Sequence, residues 1–362
     1  MDFETIMKEQ MEQVLQSEDA NALSEYAASL SNGISDQFTM ENILNATLEG
    51  KSIFQSPELI NSLKQLFLYE IKSAMVIGIE ILTICIVIGL LKNLSGSFGS
   101  KSIEEIANMT CMMVIVGLAL VHFEDVYTMA FSAVKTIAYT MELLLPVLIG
   151  VLISMGQITS GTIMSPLLLT IITLFQWIIK NFILPAIFIS AVFVLLNCLT
   201  EKDYVNQLSK TIRQTALFVM GLLMTVMTGI ISVQGLITKT SDGLIMGTAK
   251  YSLDTFIPIV GGFTADTIEL FLKCMGSIKN IIGIFGILLI LSMILSPIIK
   301  IGAIAIIYKL IAVFVEPVAS KKIAAGISDI GSVLVTLGAV LFFSSLMFII
   351  FITSIMSIGG SG

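Results

Sequence analysis

The chain has 362 residues, of which 56% are hydrophobic and only 12% are charged, and its mean hydropathy is +0.98. So few charges cannot cover the surface of a water-soluble fold of this size, so the composition excludes an ordinary globular protein and predicts a membrane protein. The net charge of −7 and the single arginine also argue against binding to nucleic acid or anionic lipid, because both require clustered basic residues.

The first 73 residues form a separate acidic segment. They carry twelve acidic residues and four lysines, a net charge of −8, whereas the rest of the chain is almost neutral. Apolar residues recur at helical spacing between these charges, and Gly33, Gly50 and Pro57 divide the segment into short pieces. We therefore predict a small, amphipathic, helical, extracytoplasmic head over 1–73 that depends on the membrane body or on a partner for order.

Two transmembrane helices are predicted over 74–122. Ala74–Leu91 and Glu105–Val121 each have about the length that the hydrocarbon core of a bilayer requires. Glu80 lies well inside the first of them, where an unpaired carboxylate is costly. Glu80 is therefore the first candidate for a side chain that lines an interior.

The remaining chain contains signs of an internal duplication. The phrase Tyr139–Gly150 aligns without gaps on Tyr251–Gly262, 112 residues later, and shares its tyrosine, its proline, its last glycine and an acidic position. At the same offset Pro185 falls on Pro297. Matches between aliphatic residues arise easily by chance in apolar segments. Matches of tyrosine, proline, glycine and an acidic residue in one register do not, so we predict two membrane repeats.

Each predicted repeat contains a short apolar segment, a run that is too long for one crossing, and a closing span. We expect the long run of repeat one to break near Lys180 and Pro185, and that of repeat two near Pro297. Repeat one covers 128–236, with the segments Leu143–Met155, Leu167–Leu199 and Thr215–Leu236, and repeat two covers 240–356, with Phe256–Leu272, Ile281–Val315 and Ile330–Met356.

The predicted fold is all-α, a polytopic helical bundle with two internal repeats and a small helical head. Basic residues gather in the loops 92–104, 200–214 and 316–329, which predicts that these loops face the cytoplasm and that both chain ends face away from it. If every apolar segment crosses the membrane, the chain has ten spans. The number is about eight if the short segments near Pro146 and Pro258 are re-entrant, so we expect 8–10 spans.

The proline and glycine phrases supply the other candidate functional residues. Pro146 and Pro258 interrupt the helical hydrogen-bond ladder at about membrane depth, which is tolerated only beside protein or a water-filled cavity. Two equivalent interruptions indicate a pathway or a symmetric packing core, and both interpretations stay open. We expect the glycines that follow them to lie at close helix contacts. The full set of candidates is Glu80, Pro146, Gly150, Pro258, Gly261, Gly262 and Asp266.

No motif in the chain predicts an enzyme, a metal site or a cofactor. The sequence lacks a nucleophile elbow, a phosphate-binding glycine loop and a zinc-protease helix motif. Asp266 and Glu269 lie one helical turn apart and could form an acid–base pair. We expect instead that they mark the end of a weakly apolar span and that their carboxylates face water. The four cysteines show no metal-binding spacing, and His122 has no evident ligand partners, so we expect the thiols to be free and buried.

Several stretches of the second half match a known family. They are Phe256–Asp266, Ser277–Asn280, Tyr308–Ala312 and Glu316–Pro317, preceded by Gln234–Leu236, Asp242–Gly243 and Thr248–Tyr251. Together they resemble the stage III sporulation protein AE family, over roughly 70–356 and most specifically over 215–320. Members usually carry a cleaved signal peptide before the head. This chain opens Met-Asp-Phe-Glu, so we expect a start further upstream or a signal peptide that has been removed.

The resemblance implies a multi-pass protein of endospore-forming bacteria that belongs to a secretion-like channel complex between the mother cell and the forespore. It implies the outer forespore membrane, on the mother-cell side, with the head in the intermembrane space. The implied partners are other proteins of the stage III sporulation operon, including an ATPase and ring-forming proteins, and a forespore membrane protein. The resemblance supplies no catalytic or ligand-binding residues.

Two classes of function follow from the sequence. In the first, the protein is a structural or export-gate component of a multiprotein channel. In the second, it is a stand-alone permease with a substrate site near the bilayer midplane, between the two repeats. Polar side chains that would coordinate a substrate are sparse within the predicted spans, and this favours the first class.

Overall fold

The computed structural model describes residues 3–30, 39–48, 57–96, 101–157, 164–199, 205–256, 261–317 and 321–358. All regular structure within these ranges is helical, which confirms the all-α prediction. The helices are α1 (Phe3–Leu15), α2 (Glu18–Ser29), α3 (Met40–Leu48), α4 (Pro57–Gly96), α5 (Lys101–Ser154), α6 (Met164–Ile178), α7 (Leu184–Leu199), α8 (Asn206–Phe256), α9 (Gly261–Val315) and α10 (Lys321–Ser357).

The described residues contain six segments that are long and apolar enough to cross a membrane, fewer than the predicted eight to ten. The difference arises because segments that we expected to be separate belong to one helix: Glu105–Val121 and Leu143–Met155 both lie in α5. The six segments are Leu59–Leu90, Met112–Ser154, Pro166–Leu199, Asn206–Val233, Leu270–Val315 and Lys321–Ser357.

Among the prolines that the structure describes, the breaks predicted near Pro185 and Pro297 and the interruption predicted at Pro146 are absent. Pro146 lies inside α5 and Pro297 lies inside α9, and both helices continue through them. A proline removes a single backbone hydrogen bond, and in an apolar bundle the flanking turns and the neighbouring helices hold the helix together. Proline therefore marks a local adjustment of these helices and does not mark their ends.

Pro185 shows such an adjustment. The five residues Ile179–Ile183 form a π-helical turn that joins α6 to α7 without a break, and the Leu184 N–H donates to the carbonyl of Ile179. The ring of a proline collides with the carbonyl four residues earlier in an ordinary helix, and a widened turn relieves that collision. The run Leu167–Leu199, which we expected to divide here, is thus one continuous helical rod.

α9 is the central helix of the bundle, and α10, α4 and α5 pack along it. α4 runs parallel to α9, since Glu70 contacts Ser296 and Gly78 packs on Ile307. α5 and α10 run antiparallel to it. Thr140 of α5 lies beside Met293, and Leu144, further along α5, packs on Gly286, earlier in α9.

Small residues recur every seven positions on the face of α10 that contacts α9. A methyl group at Gly331 would lie 3.1 Å from the carbonyl oxygen of Ala305, and one at Gly338 would lie 3.2 Å from Cγ2 of Ile301. This spacing keeps one narrow stripe of small side chains against the neighbouring helix, so the two backbones approach closely. The stripe consists of Ala324, Gly331, Gly338 and Ser345.

The acidic amino-terminal segment contains the short helices α1, α2 and α3, as its amphipathic pattern predicts. α1 and α3 pack on α9, and α2 packs on α5. The apolar stripes face inward, with Met7, Met11 and Ile43 almost fully buried. The predicted boundary at residue 73 falls inside α4, which begins at Pro57 and runs without interruption into the apolar part of the chain.

The two segments of the predicted duplication, Tyr139–Gly150 and Tyr251–Gly262, occupy different positions relative to the ends of their helices. Pro146 lies inside α5, eight residues before the helix ends at Ser154. α8 ends at Phe256, and the equivalent Pro258 lies outside the described residues. The division into two repeats stays a prediction.

Candidate functional site

A polar cluster lies where α4, α5 and α9 meet. Nε2 of His122 lies 3.6 Å from Oε2 of Glu80, and the Glu80 side chain is 51% exposed. The sequence suggested that Glu80 lines an enclosed interior. The structure instead places its carboxylate at the edge of the α4–α5 contact, where it is half exposed. The partner of this carboxylate is a histidine that sequence analysis left without a role, because only the packing of α4 on α5 brings the two together.

Tyr308 of α9 completes this cluster. Its side chain is 1% exposed, and it lies within electrostatic range of Glu80 and of the Cys85 thiol. The Tyr308 hydroxyl and Nδ1 of His122 are buried and have no hydrogen-bond partner among the described residues. Three polar groups from three helices thus lie in the same region of the bundle.

The proline and glycine candidates do not assemble into one site. Pro146 is partly buried in α5, whereas Gly150 faces open space, with nothing within 4 Å of the position that an added side-chain carbon would take, so the close contact expected there is absent. Gly261 and Gly262 form the first residues of α9, and Asp266 follows in its second turn. Pro258 lies outside the described residues.

A buried polar contact that the sequence did not reveal joins α8 to α10. Arg213, the chain's single arginine, is only 7% exposed and donates from Nη1 to the Asp329 carbonyl oxygen at 3.1 Å. The Asp329 carboxylate is also close enough to attract the guanidinium. The sequence places Arg213 in a loop, where it serves only as an indicator of orientation; the structure makes it a cross-helix contact.

Two serines interlock α7 and α8 beside this contact. The hydroxyls of Ser190 and Ser209 lie 2.8 Å apart, and each also donates to the other residue's carbonyl oxygen. Both side chains are fully buried. Small hydroxyl residues allow two helices to approach closely and satisfy their own polar atoms across the interface.

A lysine is buried at the opposite end of the bundle. Lys279 of α9 is 1% exposed, and its ammonium group donates to the carbonyl of Ile358, just after the end of α10. The last carbonyls of a helix lack intrahelical partners and carry partial negative charge, so a cation there is favourable. Lys279 therefore fastens the end of α10 to α9.

The open spaces that the structure shows are apolar. A groove of about 510 Å³ between α4 and α9 is lined by Ile60, Leu63, Phe67, Leu68, Leu295 and Ile299, with Lys64 as its one charged residue. A substrate site for a polar solute needs several convergent polar groups. This groove does not provide them.

The head contacts the bundle through an aromatic pair. The rings of Tyr26 in α2 and Tyr139 in α5 meet edge to face, with their centroids 4.8 Å apart. Burial raises the pKa of the Tyr26 phenol above its usual value, and hydrogen bonds with Thr140 and Thr136 partly offset this effect. The neutral phenol is therefore the form that docks.

We expect α2 to detach from α5 at high pH. A phenol whose pKa is raised by docking contributes its full stabilisation below its usual pKa of about 10, and this contribution is lost as the pH rises through the higher pKa of the docked state. Energy transfer between dyes at Glu25→Cys and Lys135→Cys should persist at pH 10, the usual pKa of a phenol, and should fall only as the pH rises further. Tyr26→Phe, which keeps the ring, should retain the transfer, and a parallel loss in this variant would contradict the assignment.

The structure has long apolar helices that contain few charged side chains and pack around a central helix. These features define the class of the protein, which is a multi-pass helical membrane protein. The sequence profile of the family described as stage III sporulation protein AE matches residues 38–359. The chain belongs to this family. It is 28% identical over 315 residues to "Stage III sporulation protein AE" of Bacillus subtilis (strain 168), which covers 86% of this chain and 78% of that protein. No solved structure matches the chain.

Proposed function

We propose that this protein is a non-enzymatic membrane subunit of the secretion-like channel complex between mother cell and forespore. In this proposal it resides in the outer forespore membrane, its head lies in the intermembrane space, and its partners are other proteins of the stage III sporulation operon and a forespore membrane protein. Membership of the sporulation family supports the setting.

The observation that carries the subunit role is the length of the apolar helices. The apolar part of α9 has 46 residues and that of α5 has 43, which correspond to about 69 Å and about 65 Å of helix. The hydrocarbon core of a bilayer is only about 30 Å thick. A bilayer cannot cover such a bundle along its whole length, and in this proposal partner proteins cover the part that neither the bilayer nor the head covers.

In this proposal the partner protein binds to α8. A smaller share of its apolar segment is buried than in any other candidate span of the described chain. Phe218, Leu222 and Val226 follow one another along one face and are all exposed. Exposed aromatic and aliphatic side chains at this spacing form the type of helix face that packs against another helix.

Co-purification from sporulating cells tests the proposal. A tagged copy should bring down the products of the neighbouring operon genes, and Phe218→Ala with Leu222→Ala should reduce their yield severalfold without lowering the amount of the tagged protein. Leu208→Ala, an exposed leucine at the start of the same helix, is the matched control. The proposal fails if the wild-type protein purifies alone, or if the purified protein moves a solute across vesicles unaided.

A further inference from the structure

The groove between α4 and α9 lies open on the outside of the bundle. Its volume of about 510 Å³ falls in the range of sites that hold small molecules. Six of the seven side chains that line it are apolar, and the seventh is Lys64. Phe67 is 51% exposed and Leu68 is 67% exposed, so the described part of the chain leaves the groove uncovered. A molecule that is mostly apolar fits this lining.

The groove is continuous with an apolar face of α4. Leu68, Met75, Ile79 and Ile86 follow one another along this face over about 27 Å, and all four are exposed. Leu68 belongs both to this face and to the wall of the groove. The two therefore form one apolar surface, of the kind that hydrocarbon covers in a membrane protein.

Lys64 places a cation at one end of the groove. A side chain in a helix is directed toward the amino end of that helix, so the ammonium group of Lys64 lies about one turn before its own Cα, beside Ile60. Asn61 is exposed at the same end. Among the described residues no acidic side chain pairs with Lys64. The ammonium group is thus available to an anion from outside the chain.

This end of the groove is the one that lies toward water. α4 begins at Pro57, directly after the acidic amino-terminal helices, and Lys64 lies two turns into it. A segment as acidic as the head requires water. The groove therefore has a charged end near the water-soluble head and an apolar end further along α4, at Leu68 and Ile299.

The dimensions and chemistry of the groove favour a lipid over a protein segment. The lining residues of α4 extend from Ile60 to Leu68, about 12 Å of helix. A helix about 10 Å wide would occupy about 900 Å³ over this length, more than the groove holds. An extended peptide would bring backbone N–H and carbonyl groups, for which the apolar walls offer no hydrogen-bond partner. An acyl chain brings no such groups.

We infer that the groove binds one anionic phospholipid from the surrounding bilayer, with the phosphate at the Lys64 ammonium and an acyl chain along Phe67, Leu295 and Ile299. A single lysine beside an apolar groove suits one lipid molecule. The scarcity of basic residues excludes a broad attraction to anionic membrane surfaces, which is a different kind of binding. The inference needs no partner protein and is independent of the proposed function.

Quenching of tryptophan fluorescence by brominated lipids tests the inference. The reporter is Phe67→Trp, made together with Trp177→Phe, which removes the single native tryptophan. The purified full chain is reconstituted in phosphatidylcholine vesicles that contain either brominated phosphatidylglycerol or brominated phosphatidylcholine. Bromine quenches only at short range, so the quenching shows which lipid occupies the groove. The anionic lipid should be enriched about fivefold at the reporter, the effect of one lysine on an anionic lipid.

Two lysine variants of the reporter protein and a second reporter complete the experiment. Lys64→Gln should abolish the enrichment, because the ammonium group that holds the phosphate is gone. Lys210→Gln, which removes an exposed lysine from α8, is the matched control and should leave the enrichment unchanged. Leu68→Trp places the reporter at the neighbouring wall residue and should give the same result as Phe67→Trp.

Three outcomes would overturn the inference. Equal quenching by the two lipids would mean that the groove meets ordinary bilayer lipid without selecting a headgroup. No quenching by either lipid would mean that protein covers the groove. A larger loss of enrichment in Lys72→Gln than in Lys64→Gln would place the phosphate at the opposite end. A failure to co-purify partners would change none of these results, so the experiment is decided separately from the proposed function.

Discussion

Replacing Gly331 by leucine should lower the free energy of unfolding by about 3 kcal/mol, the upper part of the range for overpacking a close contact. The carbonyl oxygen of Ala305, 3.1 Å from the position of the first added carbon, belongs to the backbone of α9 and cannot rotate away. The two central helices must therefore separate. Thermal unfolding of the detergent-solubilised protein, followed by the loss of helical circular dichroism, measures this effect.

Gly302→Leu is the matched control, since Gly302 lies on α9 and has nothing within 4 Å of an added side-chain carbon. It should leave the unfolding temperature unchanged or raise it slightly, because leucine is a better helix former than glycine by up to about 1 kcal/mol. Equal destabilisation by the two substitutions would show that the α9–α10 contact is not as close as the structure indicates.

Arg213→Met should cost about 3 kcal/mol, as does the removal of one partner from a buried ionic contact. Methionine fills much of the same volume, so the loss reports on the Asp329 carbonyl, which loses its donor, and on the nearby carboxylate, which loses the attraction of the guanidinium. Lys210→Met removes an exposed cation one turn away on the same helix and should have little effect.

The double variant Arg213→Met with Asp329→Asn separates charge from packing. If the attraction to the carboxylate matters, the double variant should be more stable than Arg213→Met alone, because the unpaired negative charge is gone. Strictly additive losses would mean that the arginine acts only through its bond to the backbone carbonyl.

The sequence was most informative about composition and periodicity. The apolar content and the helical spacing of residues such as Met7 and Met11 predicted a helical membrane protein with an amphipathic amino-terminal segment, and the structure contains both. More spans were predicted than the six that the described residues contain, because prolines and charges were taken as helix ends. Pro297 and Lys300 lie one turn apart in α9, and neither ends the helix.

The side-chain clusters were harder to predict, because they depend on which helices pack together. Glu80 was singled out for its cost in lipid, but its contact with His122 follows from the register of α4 against α5. Gly150 was singled out because it follows a proline, and it faces open space. The seven-residue spacing of Gly331 and Gly338 is a signal in the sequence that would have identified the close helix contact.

The bond from Lys279 to the Ile358 carbonyl has a mechanical consequence. Unwinding the last turn of α10 would leave a buried ammonium group without its acceptor, so this helix end resists fraying more than an ordinary one does. A force applied at the carboxyl end of α10 is therefore transmitted across the bundle to α9. A protein that grips this end would pull on the central helix of the bundle directly.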